Sequence, residues 1–269
     1  NGMQDYAAKQ DGVSLQVEDA QNDVGKQLNQ IQNFVAQGVD AIIVNPVDTD
    51  ATPAMTKLAT EAGIPLVYVN RMPAENPLPA NVAFVGSDEK QSGTLEMQEV
   101  CKLMGGKGTI LVMMGELSNQ AARQRTQDVH DVIATPECAG ITIAEQQTGN
   151  WSRTQGTDLM TNWISAGMKF DALVSNNDEM AIGAIQAMKS AGVDLHNVVV
   201  VGVDATQDGL AAMKAGDLDV TVFQNAAGQA AGAVDAAVAL ANGKNVDQRV
   251  YIPFELVTPA NMDRYAAQN

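Results

Sequence analysis

The side chains best suited to chemistry gather in Ser175-Asn-Asn-Asp, four polar residues that end the apolar run Ala172-Leu-Val. Similar polar groups follow other apolar runs. Asn45 follows Ala41-Ile-Ile-Val, and Asn70 with Arg71 follows Leu66-Val-Tyr-Val. Ser87 follows Val82-Ala-Phe-Val, Asp204 follows Val198-Val-Val-Val-Gly-Val, and Gln224 follows Asp219-Val-Thr-Val-Phe. Arg125 on a helical stretch and Trp151 in a loop add a planar cation and an aromatic face. A cyclic polyol presents hydroxyls around its ring and C–H bonds on its faces. Carboxylates, amides and arginine forks suit the hydroxyls, and an aromatic wall covers a face. Each residue also has a plainer reading. Asn177, Asp178 or Asp204 can cap helices, Trp151 can pack in a core, and Arg71 and Arg125 can pair with surface acids.

The elements that must hold these groups alternate along the chain. Val13–Val17 reads as a strand, and Leu28, Ile31, Phe34 and Val35 have the spacing of a helix packed on one face, stopped by Gly38. Strands at 41–44, 66–69 and 82–85 follow, separated by a helix over 52–62 and a Pro/Asn-rich loop. The alternation restarts at Lys90 with helices near 90–104, 119–133, 154–166, 179–189, 209–215 and 229–241, strands between them, and an extended close at 250–258. Such alternation implies α/β architecture with parallel sheets and right-handed crossovers. A buried strand whose carboxyl end carries polar groups at a helix start is where open α/β sheets bind ligands.

The chain has 269 residues, enough for two α/β lobes of ordinary size. Net charge is −16, which disfavours nucleic acid or an anionic membrane as the main partner. Cys101 and Cys138 are the two cysteines; they can form one disulfide in an oxidising compartment or remain two thiols. With only two histidines and no Cys-x-x-Cys, no metal site is expected. Gly105-Gly-Lys-Gly precedes a strand and so reads as a turn, not a phosphate loop. No Gly-x-Ser-x-Gly or Gly-x-Gly-x-x-Gly appears, and no acid pair is spaced as in a glycosidase, so neither an enzyme nor a cofactor is expected. The opening, Asn1-Gly-Met-Gln-Asp-Tyr-Ala-Ala-Lys-Gln, resembles the middle or end of a helix; a first strand, and any signal peptide, are expected before it.

Several stretches together resemble the periplasmic ribose-binding-protein family: Asp19-Ala-Gln-Asn-Asp, Ile43-Val-Asn-Pro-Val-Asp-Thr-Asp-Ala, Ile64-Pro-Leu-Val-Tyr-Val-Asn-Arg, Ala121-Ala-Arg-Gln-Arg, Asn177-Asp-Glu-Met-Ala-Ile-Gly-Ala and Val201-Gly-Val-Asp-Ala-Thr. Their order is the family's over nearly the whole chain, and the Val-Asn-Arg and Phe-Val-Gly-Ser-Asp versions look most like myo-inositol-binding members. The resemblance implies two Rossmann-like lobes joined by three crossings, near 87–88, 224–225 and 254–255, that close on a sugar by hinge motion. It implies an N-terminal lobe of 1–87 with 226–253 and a C-terminal lobe of 88–225 with 254–269. The implied ligand contacts are Asn70, Arg71, Arg125, Trp151, Asn177, Asp204 and Gln224, with Asn45 and Ser87 as contacts or braces. The implied role is a monomeric periplasmic solute-binding protein that delivers a small uncharged polyol or sugar, myo-inositol or a ribose/allose-type sugar, to an ABC permease. The same two-lobed core also occurs as the effector domain of lac-repressor-like transcription factors, a reading that a DNA-binding helix before Asn1 would favour.

Overall fold

The computed structural model describes residues 2–267. In chain order the first half holds α1 (Gly2–Ala7), α2 (Val24–Gln37), β1 (Ile42–Val44), α3 (Thr52–Glu61), β2 (Leu66–Asn70), β3 (Val82–Gly86), α4 (Glu89–Leu103), β4 (Lys107–Met114) and α5 (Gln120–Ile133). The second half holds β5 (Gly140–Thr148), α6 (Arg153–Ser165), β6 (Ala172–Ser175), α7 (Asp178–Ser190), β7 (Val199–Val201), α8 (Gln207–Lys214), β8 (Thr221–Gln224), α9 (Ala226–Ala241), β9 (Arg249–Tyr251) and β10 (Phe254–Val257).

The chain divides into two compact units. One runs to Ser87 and adds Ser118–Gln120 and Asn225–Pro253; the other takes Asp88–Leu117, Ala121–Gln224 and the chain from Phe254. These boundaries differ from the expected ones at two places. Asn225 goes with the first unit because it caps α9: its side chain accepts from Gly228 N at 2.8 Å, so the helix starts at Ala226 rather than at 229. Ser118–Gln120 joins the first unit through Thr49, whose hydroxyl donates to Ser118 O and accepts from Gln120 N.

The first unit is a parallel sheet in the order β1-β2-β3-β9. Alternation along each strand sends successive side chains to opposite faces. Leu66, Tyr68, Val82 and Phe84 pack with Ile31 of α2 and Met55 of α3, while Val67, Val69, Ala83 and Val85 pack with Ala233 and Ala237 of α9. Asp23 caps α2 by accepting from Lys26 N, and Gly38, at φ 68°, ends it in a left-handed turn.

Val13–Val17 is not a strand. An extended stretch becomes a strand only by pairing. This one instead lines a cavity of about 620 Å³ together with Ala41–Ile43 and with Val234, Ala237 and Val238 of α9.

The second unit has a parallel sheet in the order β5-β4-β6-β7 and an antiparallel pair, β10-β8. Isolated bridges join Val201 to Val220 and Asp204 to Phe223. Ile110, Val112, Ala172 and Val174 pack with Met97 of α4 and Val129 of α5; Leu111, Met113 and Leu173 pack with Met160 and Trp163 of α6 and Met180 of α7. Cys101 at the end of α4 is joined by a disulfide to Cys138, just before β5. β5 and β6 flank β4 on opposite sides, so the carboxyl ends of β4 and β6 form the switch point at which such sheets bind ligands.

Candidate functional site

In the first unit the polar groups sit where β1 and β2 end. Asn70, the last residue of β2, has φ 68°, a left-handed conformation that asparagine tolerates better than most residues. Arg71 then reaches back across the sheet: its Nη1 donates to the carbonyls of Pro46 at 3.0 Å and Val47 at 3.1 Å, tying the exits of β1 and β2 together. Gln27 braces the same loop, donating to Asn45 O and accepting from Val47 N. The Asn45 side chain stands at an exposed position beside it. Ser87 differs from the others. It is fully buried and its hydroxyl accepts from Gln229 of α9 at 3.0 Å, which makes it a brace for the chain's exit from β3.

In the second unit the groups converge on Arg125. It lies in the second turn of α5 and is only 3% exposed. Its Nε donates to Glu89 Oε2 at 2.8 Å, Nη2 to Glu89 Oε1 at 3.3 Å, and Nη1 to the carbonyl of Asn176 at 2.7 Å. Asp204 Oδ1 lies 3.8 Å from Nη1. The guanidinium carbon is 5.7 Å from the Trp151 ring centroid and 5.8 Å from that of Phe254, distances at which a cation is attracted to an aromatic face. Burial by itself would lower the Arg125 guanidinium, but Glu89 and Asp204 outweigh it and raise it above its ordinary value. Burial pushes the Asp204 carboxyl up to about 6; Arg125 pulls the other way, and Glu89 adds to the rise.

The loops that carry these residues are held in uncommon backbone states. Asn150 and Trp151, before α6, have φ 52° and 64°, and Asp204 and Ala205, after β7, have φ 120° and 49°. Residues with bulky side chains rarely adopt such values, and where they persist the surroundings hold them in place. For Trp151 one support is Gly115, which leaves room for the indole.

Ser175-Asn-Asn-Asp is used mostly for support. Ser175 donates to Asn177 O, and Asn176 Oδ1 accepts from Gly115 N at 3.0 Å and from Thr126 Oγ1 at 3.2 Å. Asn177 is the helix cap: its Oδ1 accepts from Met180 N at 3.0 Å, and its Nδ2 lies 3.4 Å from Trp151 O. Asp178 is fully buried. It accepts from Thr221 Oγ1 at 2.7 Å, Thr206 N at 2.8 Å and Thr206 Oγ1 at 3.2 Å, so it clamps the loop after β7. Burial and the charge of Asp204 push its carboxyl up to about 7 against those hydrogen bonds. Gln224 ends β8, opposite Phe254 of β10.

Thus Arg125, Trp151, Asn177 and Asp204 share one neighbourhood in the second unit, while Asn70, Arg71 and Asn45 share one in the first. Sequence reasoning missed Glu89 and Phe254. An acid in the first turn of a helix reads as a favourable dipole partner and nothing more, and its arginine is 36 positions away.

Parallel α/β sheets with amides, two arginines and an indole at or beside their strand ends suit a ligand-binding protein. The chain belongs to the periplasmic binding protein family, whose domain matches residues 1–245. It is 63% identical, over all of its length and 87% of the other chain, to a Rhizobium meliloti protein provisionally named for rhizopine binding. It is 35% identical to the xylitol-binding protein of Mycolicibacterium smegmatis, over 97% of this chain and 73% of the relative. Among solved structures it resembles an ABC transporter solute-binding protein from Bacillus halodurans with bound myo-inositol. That match has a TM-score of 0.94 and 44% identity, and covers 100% of this chain and 91% of the other. The fold is that of the type I periplasmic binding proteins, and the chain is not an enzyme.

Proposed function

We propose that this protein is a periplasmic solute-binding component of an ABC transporter and that it binds a cyclic polyol, with myo-inositol the best candidate. The observation that carries the reading is the 44% identity, across the whole chain, to a protein solved with myo-inositol. The chemistry of the strand-tip groups agrees with it. Amides can both donate and accept, so Asn70, Asn45 and Gln224 suit hydroxyls, which do the same. Arg125 and Asp204 supply a donor and an acceptor of fixed position, and Trp151 supplies a face for the ring C–H bonds. The loaded form is the one a membrane permease reads. A polar group left buried without a partner costs roughly 1–3 kcal/mol, so hydroxyls that partner these groups favour the loaded form.

Isothermal titration against myo-inositol, xylitol, D-ribose and D-allose tests this. We expect heat with myo-inositol and a loss of affinity in both Arg71→Ala and Arg125→Ala. Silence toward the whole panel would overturn the proposal. Mass spectrometry of the ligand that co-purifies gives an independent reading.

A further inference from the structure

Arg125 is the cation on which the strand-tip cluster of the second unit converges, and a planar guanidinium fork is the side chain best matched to a carboxylate. Left unpaired in a site poor in water, it would make that site select acids. Here the fork is already occupied. Glu89 takes Nε and Nη2 at 2.8 and 3.3 Å, both partners are 3% exposed, and Glu89 is itself fixed by Ser92 Oγ, which donates to Oε2 at 3.1 Å. Asn176 O takes a donor of Nη1, and Asp204 stands 3.8 Å from the same nitrogen. Three of the five guanidinium donors are thereby used. The Nε/Nη2 edge is taken by Glu89, and the two donors that remain, one on each terminal nitrogen, can serve hydroxyls. The carboxylates of Glu89 and Asp204 face the positive charge of Arg125, and the buried Glu96 carboxyl adds to their effect.

We propose that Glu89 is a positioning residue that fixes the pose of Arg125 and cancels its charge, and so makes the site accept neutral polyols and refuse anionic sugars such as uronates. The inference rests on the polyol reading of the same site. It adds what that reading does not contain, a residue that sets the charge class of the ligand without touching it.

The test is titration of the wild type, Glu89→Gln and Glu89→Asp with myo-inositol and with D-glucuronate, with thermal melting to confirm folding. For the wild type we expect D-glucuronate to bind at least about a hundredfold more weakly than myo-inositol, since an unpaired like charge in such a site costs several kcal/mol. Glu89→Gln keeps the shape and removes the charge. It should weaken myo-inositol about tenfold and narrow the glucuronate-to-inositol ratio of Kd values by about tenfold or more. Glu89→Asp keeps the charge with a shorter reach and should weaken myo-inositol while leaving that ratio wide. A folded Glu89→Gln protein whose ratio equals the wild type's would overturn the inference, because a merely structural role changes the melting temperature and not the ratio. Wild-type protein that takes D-glucuronate as tightly as myo-inositol would overturn it too. Should Glu89→Gln fail to fold, a narrowed ratio in Glu89→Asp decides against it and a preserved one supports it. If another neutral sugar of the panel binds in place of myo-inositol, the ratio is read with that sugar. Silence of the wild type toward every neutral sugar instead defeats the proposed function, a result distinct from an unchanged ratio in a protein that binds.

Discussion

The Trp151 indole lies so close over Gly115 that a β-carbon added to the glycine would sit 2.2 Å from Cζ2 of the ring. Gly115 follows β4 and Trp151 precedes α6, so the contact joins the exits of two neighbouring strands. Gly115→Ala must therefore move the indole. We expect a loss of roughly 1–3 kcal/mol in stability from overpacking and a fall in polyol affinity of about tenfold, that is ~1.4 kcal/mol. Trp151 fluorescence and titration calorimetry check both; unchanged affinity would remove the indole from the ligand's wall.

Arg125 and Glu89 form a buried ion pair, which is costly to break and cheap to replace. Arg125→Ala strands the Glu89 carboxylate and should cost about 3–5 kcal/mol. The double replacement Glu89→Leu with Arg125→Met should recover most of that in denaturant melts while binding stays lost. A double variant as unstable as Arg125→Ala would show that the pair does more for folding than neutralise itself.

Asp128 of α5 gives a pH prediction. Burial, the largest cause, pushes its carboxyl up to about 7; Gln124 opposes by donating to Oδ1, and Asp131, Glu89 and Asp88 add to the rise. Its folded value thus lies above the unfolded value of about 3.9. The folded state holds the proton more tightly, so the contribution is fully present below about pH 4 and is lost as pH rises toward 7. Asp128→Asn cannot ionise. It should be more stable than the wild type at pH 8, by roughly 1–4 kcal/mol, and equal to it near pH 4. Melting temperatures of the two proteins across that range test the sign; a gap that does not grow with pH would refute it.

The Cys101–Cys138 disulfide closes a loop of 37 residues. Constraining the unfolded chain over such a loop contributes about 4 kcal/mol in the chain-entropy account. Cys101 sits at the end of α4 and Cys138 precedes β5, so the bridge lies at the end of the sheet opposite the strand tips. Cys101→Ser with Cys138→Ser should lower the melting temperature and leave the polyol Kd unchanged. A matched loss of affinity would mean that the bridge shapes the binding loops.

The local pattern of residues carried a great deal. Three-and-four spacing over Leu28, Ile31, Phe34 and Val35 marks α2, and the stop at Gly38 is where the left-handed turn occurs. Runs such as Leu66-Val-Tyr-Val are buried on both faces, as unbroken apolar composition requires. The polar residues after those runs are at the strand ends. Val13–Val17 failed for a plain reason: its composition suits a strand, but a strand also needs a neighbour to bond with, and none of the described residues supplies it.

What the chain determined alone was therefore everything decided by near neighbours: which segments are helical or extended, where each one stops, and which ends carry hydrogen-bonding groups. What only the tertiary structure decided was partnership over distance. Sheet order sets β4 between β5 and β6, the packing of α4 and α5 on one face of that sheet brings Glu89 to Arg125, and Asp178 becomes a clamp on the loop after β7. Those roles depend on burial and on charges dozens of positions apart, and periodicity, being local, does not record them.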